Sequence, residues 1–275
     1  MDLKDRVVFI TGASDGIGKQ LAIDIAARGA VAVGCGRSRE RLVETLKAVR
    51  KANPESLMIA CDVGDAEQVN GMMNKVLADF GRIDILINNA GIGMRKPFVD
   101  TPVETIEAIM RTNYLGAVYC TQAVLPSMIA RRSGHIVNIS SGAGKIGTLN
   151  MAGYCASKFA MNGWSESLYH ELKPLGINVS VVCPGPVSTQ FSHEFADSEP
   201  KSPCQLLISA AAVSHAVIGA IEKNRFEVVT PRWLALMCAL KRFMPGLFRT
   251  IAHSRFRAHV RMPERVAISQ EFPGN

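Results

Sequence analysis

The chain has 275 residues, 48% of them hydrophobic, which is enough to bury a large α/β core and carries no mark of disorder. Its formal charge of +7 suggests a nucleic-acid or membrane partner only until that charge is located. Arg232, Lys241, Arg242, Arg249, Arg255, Arg257 and Arg261 fall in a stretch without Asp or Glu, the rest balances 24 basic against 24 acidic groups, and no nucleic-acid partner is expected.

The apolar run 7–10 passes into Thr11-Gly12-Ala13-Ser14-Asp15-Gly16-Ile17-Gly18, which reads as a strand, a glycine turn and a helix over 17–28. Such a turn lets backbone N–H groups and a helix N-terminus face a pyrophosphate. The spacing of Gly12, Gly16 and Gly18 is looser than the G-x-G-x-x-G fingerprint. A second strand, 31–34, ends at Cys35-Gly36-Arg37-Ser38-Arg39. An acid there would accept from a ribose 2′-hydroxyl, whereas arginine meets a 2′-phosphate. The first acid is Glu40, so the reading is NADP(H) rather than NAD(H), with Arg37 and Ser38 as phosphate ligands; the bland alternative is that they solvate the start of helix 39–52.

Strand 57–61 leads to Asp62-Val63 and a helix over 66–80, for which Asp62 is a candidate N-cap. Strand 83–87 runs into Asn88-Asn89-Ala90-Gly91, where amides can stitch loops together and small residues permit close approach of a ligand. Residues 101–131 are helical in pattern, interrupted at Asn113-Tyr114-Leu115-Gly116, where a buried amide ordinarily bends a helix. Strand 135–139 delivers Ser140 and Ser141 to a glycine loop, and His135 at its entrance reads as a solvated edge residue. The helix beginning near Gly153 carries Tyr154 and Lys158 four positions apart, on one face, where a cation would lower the phenol pKa.

Strand 177–182 ends at Cys183-Pro184-Gly185-Pro186-Val187-Ser188-Thr189. Residues 188–205, polar and helix-poor, suit a mobile substrate lid. Helix 206–222 and strand 226–229 close the sheet. Beyond Pro231, apolar residues from Trp233 to Ile251 recur at helical spacing with basic residues between them, reading as one or two amphipathic helices broken at Pro245-Gly246. They can rest on an anionic membrane interface through 231–261, or dock over the substrate pocket or a partner subunit. Residues 262–275 carry no clear signal. The seven scattered cysteines suit buried free thiols of a reducing compartment, and with no apolar leader before the first strand a cytoplasmic location is the default, with membrane association as the variant.

Taken together, Thr11 to Gly18, Asn88 to Gly91, Asn113, Ser141 and Tyr154 to Lys158 resemble the short-chain dehydrogenase/reductase family over about residues 3–230. The resemblance implies a Rossmann-like, doubly wound parallel sheet of about seven strands flanked by helices, with 1–230 a dinucleotide-binding catalytic domain and 231–275 a helical C-terminal extension. It implies hydride transfer between a nicotinamide and a carbonyl or alcohol carbon. Ser141 and Tyr154 would bracket the substrate oxygen, Lys158 would hold the ribose and acidify Tyr154, and Asn113 would hold a relay water; no metal is needed. The cofactor contacts carried over are Gly12, Ser14, Asp15, Gly16, Ile17, Gly18, Asn89, Ala90, Gly91, Tyr154 and Lys158. Asp62 and Val63 join them at adenine, and Pro184, Gly185, Val187 and Thr189 at nicotinamide. One departure is Asp15, where NADP-dependent members often carry a basic residue. The partners implied are a small carbonyl or alcohol, apolar in view of the lid and tail, and a second copy in a homodimer or homotetramer formed through 153–174 and 206–222. A membrane-associated lipid ketone reductase is a variant of this reading, and a non-catalytic NADP(H)-binding sensor is its rival from another class.

Overall fold

The computed structural model describes residues 2–189 and 207–257. Strands β1 (Val7–Thr11), β2 (Val31–Gly36), β4 (Ile85–Asn88) and β5 (Gly134–Ile139) are buried along their whole length, as apolar runs without alternation demand. With β3 (Leu57–Ala60), β6 (Ile177–Pro184) and β7 (Glu227–Thr230) they form one seven-stranded sheet in the order β3-β2-β1-β4-β5-β6-β7, every pair parallel. The partly exposed β3 and β7 are its edges.

Parallel neighbours need long crossovers, and the crossovers are helices that cover both faces. On one face α1 (Gly16–Ala26), α2 (Arg39–Val49) and α7 (Ala210–Glu222) pack Leu21, Ile25, Leu42 and Val217 against Val8 and Ile10 of β1. On the other, α3 (Ala66–Phe80), α5 (Gly116–Ala130) and α6 (Ala152–Leu172) pack Val69, Met73, Val124 and Leu168 against Val7 and Phe9. The chain winds outward from β1 to β3, then returns to the far side of β1 as β4. That reversal opens a crevice at the carboxyl ends of β1 and β4, where ligands bind in such sheets.

Several expectations need correction. The cap of α3 is Asp65, which accepts from the N–H groups of Glu67 and Gln68 (3.0 and 3.1 Å); Asp62 lies one loop earlier. The expected helix 101–131 is α4 (Val103–Met110), a π turn at Arg111–Leu115, and α5. His135 is not at a solvated edge: β5 lies between β4 and β6, the imidazole is fully buried, and its Nε2 is 2.8 Å from Ser180 Oγ. Burial pushes its pKa down to about 4. Helix α7 begins at Ala210, capped by Ser209, rather than at 206. The break in the C-terminal helices is Met244, between α8 (Arg232–Phe243) and α9 (Pro245–Arg257), so Pro245 opens a helix instead of ending one. Of the expected lid, residues 190–205 lie outside the described residues.

Candidate active site

The glycine turn is sewn to the end of β4. Thr11 Oγ1 accepts from the N–H groups of Asn89 and Ala90, each at 2.9 Å, while Asn89 Nδ2 donates to the carbonyls of Thr11 (2.9 Å) and Gly12 (3.3 Å). Gly12 has φ +68°, and a Cβ there would stand 2.9 Å from Ala90 Cα; one on Gly18 would stand 2.1 Å from the Gly12 carbonyl oxygen. Both positions therefore require glycine. Asp15 caps α1 by accepting from Gly16 N at 2.6 Å, and its other oxygen is 3.5 Å from Arg41 on α2. Ser14 packs against Gly36 at the end of β2, Ile17 packs into the core, and Thr189 from the loop after β6 reaches over Gly16.

Beyond the turn, a cleft of about 420 Å³ is lined by Arg37, Asp62, Gly64, Ile92, Glu104 and Arg111 among others. Arg37 is exposed at its rim. Ser38 caps α2 and donates its hydroxyl to Glu40 at 3.0 Å. Asp62 accepts from Gly64 N (2.9 Å), and Val63 is buried against Gly116.

The four catalytic candidates converge at the ends of β5 and α6. Ser141 follows β5, accepts from Ala143 N at 3.1 Å and is hydrogen-bonded to the Tyr154 hydroxyl. Tyr154 and Lys158 are buried on one face of α6, with Lys158 Nζ 5.9 Å from the Tyr154 ring centroid. Asn113, in the π turn, accepts from Ile92 N (2.8 Å) and donates to Ile92 O (2.9 Å) and Ser157 Oγ (3.0 Å). Ser157 in turn donates to the Tyr154 carbonyl at 2.8 Å. Gly91 fills the gap: a Cβ there would be 3.3 Å from Asn113 Oδ1 and 3.7 Å from Lys158 Nζ.

The electrostatics differ from the expectation that Lys158 acidifies Tyr154. Lys158 Nζ donates to the Ile139 carbonyl at 2.9 Å. Burial dominates at both groups, pushing Tyr154 up to about 12, against the opposing Ser141 hydrogen bond, and Lys158 down to about 8.

Residues 6–200 match the family model described as short chain dehydrogenase. The chain belongs to the short-chain dehydrogenase/reductase family. It is 42% identical over 196 residues to dehydrogenase/reductase SDR family member 7B of Xenopus tropicalis, covering 69% of this chain and 63% of that relative's length. It is 37% identical to the ketoacyl reductase HetN of Nostoc, over 82% of this chain and 79% of that one. Among solved structures, a Burkholderia phymatum short-chain dehydrogenase/reductase in complex with NAD superposes with TM-score 0.81 at 25% identity, covering 90% of this chain and 96% of that one. A short chain dehydrogenase of Burkholderia cenocepacia in complex with NADP does so with TM-score 0.79 at 25% identity, covering 92% and 99%. As a member of that family the chain is an oxidoreductase acting between alcohol and carbonyl carbons, with a nicotinamide cofactor.

In this short-chain dehydrogenase/reductase the turn at Gly12 is free of side chain, the start of α1 lies beside it, and Gly91 packs against Asn113 and Lys158, an arrangement that could hold such a cofactor. The loop after β6, where nicotinamide contacts were expected, is held by backbone pairing. Gly185 N donates to Thr230 O at 2.6 Å beside Pro184, and Val187 forms a bridge with Ile208. Three residues were missed in the sequence. Arg111 lines the cleft with Arg37, and its nearness to Asn113 was the available signal. Arg41, one helical turn after Arg37, pairs with Asp15. Leu234 of α8, only 6% exposed, lies against both active-site loops: its Cδ2 would be 2.8 Å from a Cβ on Gly142 and 3.8 Å from one on Gly185.

Proposed function

We propose that the chain is an NADP(H)-dependent reductase of an apolar ketone or aldehyde, with Tyr154 as proton donor. The observation that carries this reading is the Ser141–Tyr154 hydroxyl pair, with the phenol at about 12 and Lys158 buried beneath it. A phenol so placed is fully protonated at neutral pH, which suits donation. An alkoxide is a stronger base than a phenolate, so transfer to it from Tyr154 is downhill. When bound, the dinucleotide supplies the hydride. Ser141 donates to the substrate oxygen and fixes its position between the two hydroxyls. Lys158 holds the ribose end, and Asn113, anchored on Ile92, serves the water that links Lys158 to bulk solvent.

Preference for NADP(H) draws support from the absence of an acid at the end of β2, where Arg37 stands, and from Arg41 pairing with Asp15; the cleft that Arg37 shares with Arg111 is also lined by Asp62, Asp65, Glu104 and Glu107. Apolar substrates draw support from Ala143, Met151 and Cys155 packed about Tyr154, and from the ketoacyl reductase among the relatives. The catalytic unit is 1–230, with 231–275 an extension. The expected dimer or tetramer forms through α6 and α7; Phe159 stands exposed on α6. The free thiols Cys35, Cys61, Cys120, Cys155 and Cys183 are buried, in keeping with a reducing, cytoplasmic setting.

NADPH oxidation across lipid, steroid and small aromatic ketones tests the reading. Tyr154→Phe is expected to lower turnover about a thousandfold while NADPH affinity stays within about threefold. Near-wild-type turnover would remove the phenol from the mechanism. Arg37→Ala is expected to weaken NADPH at least about tenfold more than NADH; equal loss would return the choice to NAD(H). NADPH binding without turnover on any ketone would favour the sensor.

A further inference from the structure

Helix α8 has two apolar sides, and among the described residues only one is covered. Leu234, Met237 and Cys238 turn toward the catalytic body, where Leu234 seats on Gly142 and Gly185. Lys241 on the same side donates to the Lys145 carbonyl at 2.5 Å and lies 5.1 Å above the Phe159 ring. On the opposite side Leu236 and Phe243, seven positions and therefore two turns apart, are 67% and 78% exposed. The exposed apolar surface runs on into α9 through Met244, Leu247 and Ile251.

The charge on these helices selects the occupant. Arg232, Arg242 and Arg249 are exposed beside the apolar residues, and 232–257 holds six basic residues and no acid. A second copy seated on the same face would set like charges opposite one another. An anionic lipid surface offers both an apolar layer and phosphates. Among the described residues no helix is long and apolar enough to cross a membrane, so the pair would lie along the surface.

We propose that α8 and α9 form a membrane-surface plate for anionic bilayers. Leu236, Phe243, Met244 and Leu247 enter the apolar boundary, while Arg232, Arg242 and Arg249 meet lipid phosphates. The inner side of α8 stays on Gly142 and Gly185, so an apolar carbonyl compound dissolved in the bilayer meets the enzyme on the side where its catalytic loops are braced. The plate itself does not depend on the reductase reading, because its test needs no turnover; only the delivery of an apolar carbonyl compound rests on that reading.

Full-length protein is floated with vesicles of phosphatidylcholine alone and of phosphatidylcholine with about 30 mol% phosphatidylserine. Flotation is expected with the anionic vesicles only, falling several-fold between about 0.1 and 0.5 M salt. The double variant Leu236→Glu, Phe243→Glu is expected to partition at least about tenfold less, with unchanged circular dichroism and melting temperature. Arg232→Ala with Arg242→Ala and Arg249→Ala should weaken binding to anionic vesicles at low salt. No flotation, or undiminished flotation of the double Glu variant, overturns the proposal. So does a fall in molar mass on light scattering of that variant when wild type does not float, which assigns the face to a second copy.

Discussion

At Tyr154 and Lys158 burial favours the neutral form of each side chain, raising the phenol to about 12 and lowering the ammonium from 10.5 to about 8. For Lys158 the sign of the linkage is definite. Between about 8 and 10.5 the folded state holds fewer protons than the unfolded one, so stability rises with pH there and falls back as pH drops through 8. The largest possible effect is about 3 kcal/mol, reduced by the hydrogen bond to Ile139 that the charged group makes. Lys158→Met, of similar shape, removes the buried charge. At pH 7 it is expected to be more stable than wild type by about 1–2 kcal/mol in urea unfolding, while turnover is lost. The gap should close toward pH 10. A Met variant less stable at pH 7 would show that the Ile139 bond outweighs desolvation.

At the scale of elements, the strands were legible because inner parallel strands are written as unbroken apolar runs. The candidate residues that the structure brings together were legible because glycine turns, Asn88 to Gly91 and the Tyr154–Lys158 spacing are local patterns. What was lost depended on tertiary neighbours. Nothing in 101–131 says that the chain takes a wider π turn at Arg111–Leu115, yet that turn aims Asn113 at Ile92 and Ser157. No spacing reveals that the Lys158 ammonium goes to the Ile139 carbonyl. A histidine at the start of a strand reads alike at an edge and in the middle of a sheet, so His135 was misplaced. Its true position makes β5 sensitive to acid. Neutral in the fold down to about 4 and ordinarily titrating at 6.5, His135 gives stability that is complete above 6.5 and lost as pH falls toward 4, by about 3 kcal/mol at most. His135→Asn does not titrate, and its urea midpoint is expected to fall less than that of wild type between pH 7 and pH 4.5. Parallel curves for the two proteins would place the acid sensitivity elsewhere.

At the scale of the molecule, the C-terminal helices are joined to the loops that carry the candidate site. Edge strand β7 runs directly into α8, and Glu227 of β7 pairs with Lys145, on the loop that follows Ser141. Lys241 of α8 closes on the carbonyl of that same lysine. Periodicity could not tell which apolar side of α8 was docked, because both sides carry large hydrophobic residues. Contact settles it at Leu234, whose methyl groups meet Gly142 beside the candidate catalytic Ser141 and Gly185 in the expected nicotinamide loop. Leu234→Ala would leave a space between those loops, at a cost of about 2 kcal/mol. The glycine turn and the Arg37 cleft are untouched, so cofactor affinity is expected to stay within about threefold. Turnover should fall about tenfold, since small displacements of reacting groups are costly. Leu234→Met, which refills the space, should recover most of it. Steady-state kinetics on the three proteins, with cofactor titrations alongside, decide the matter. Full turnover in a folded Leu234→Ala protein would mean that α8 merely covers the loops, whereas recovery by methionine alone would make the extension part of what holds Ser141 in place.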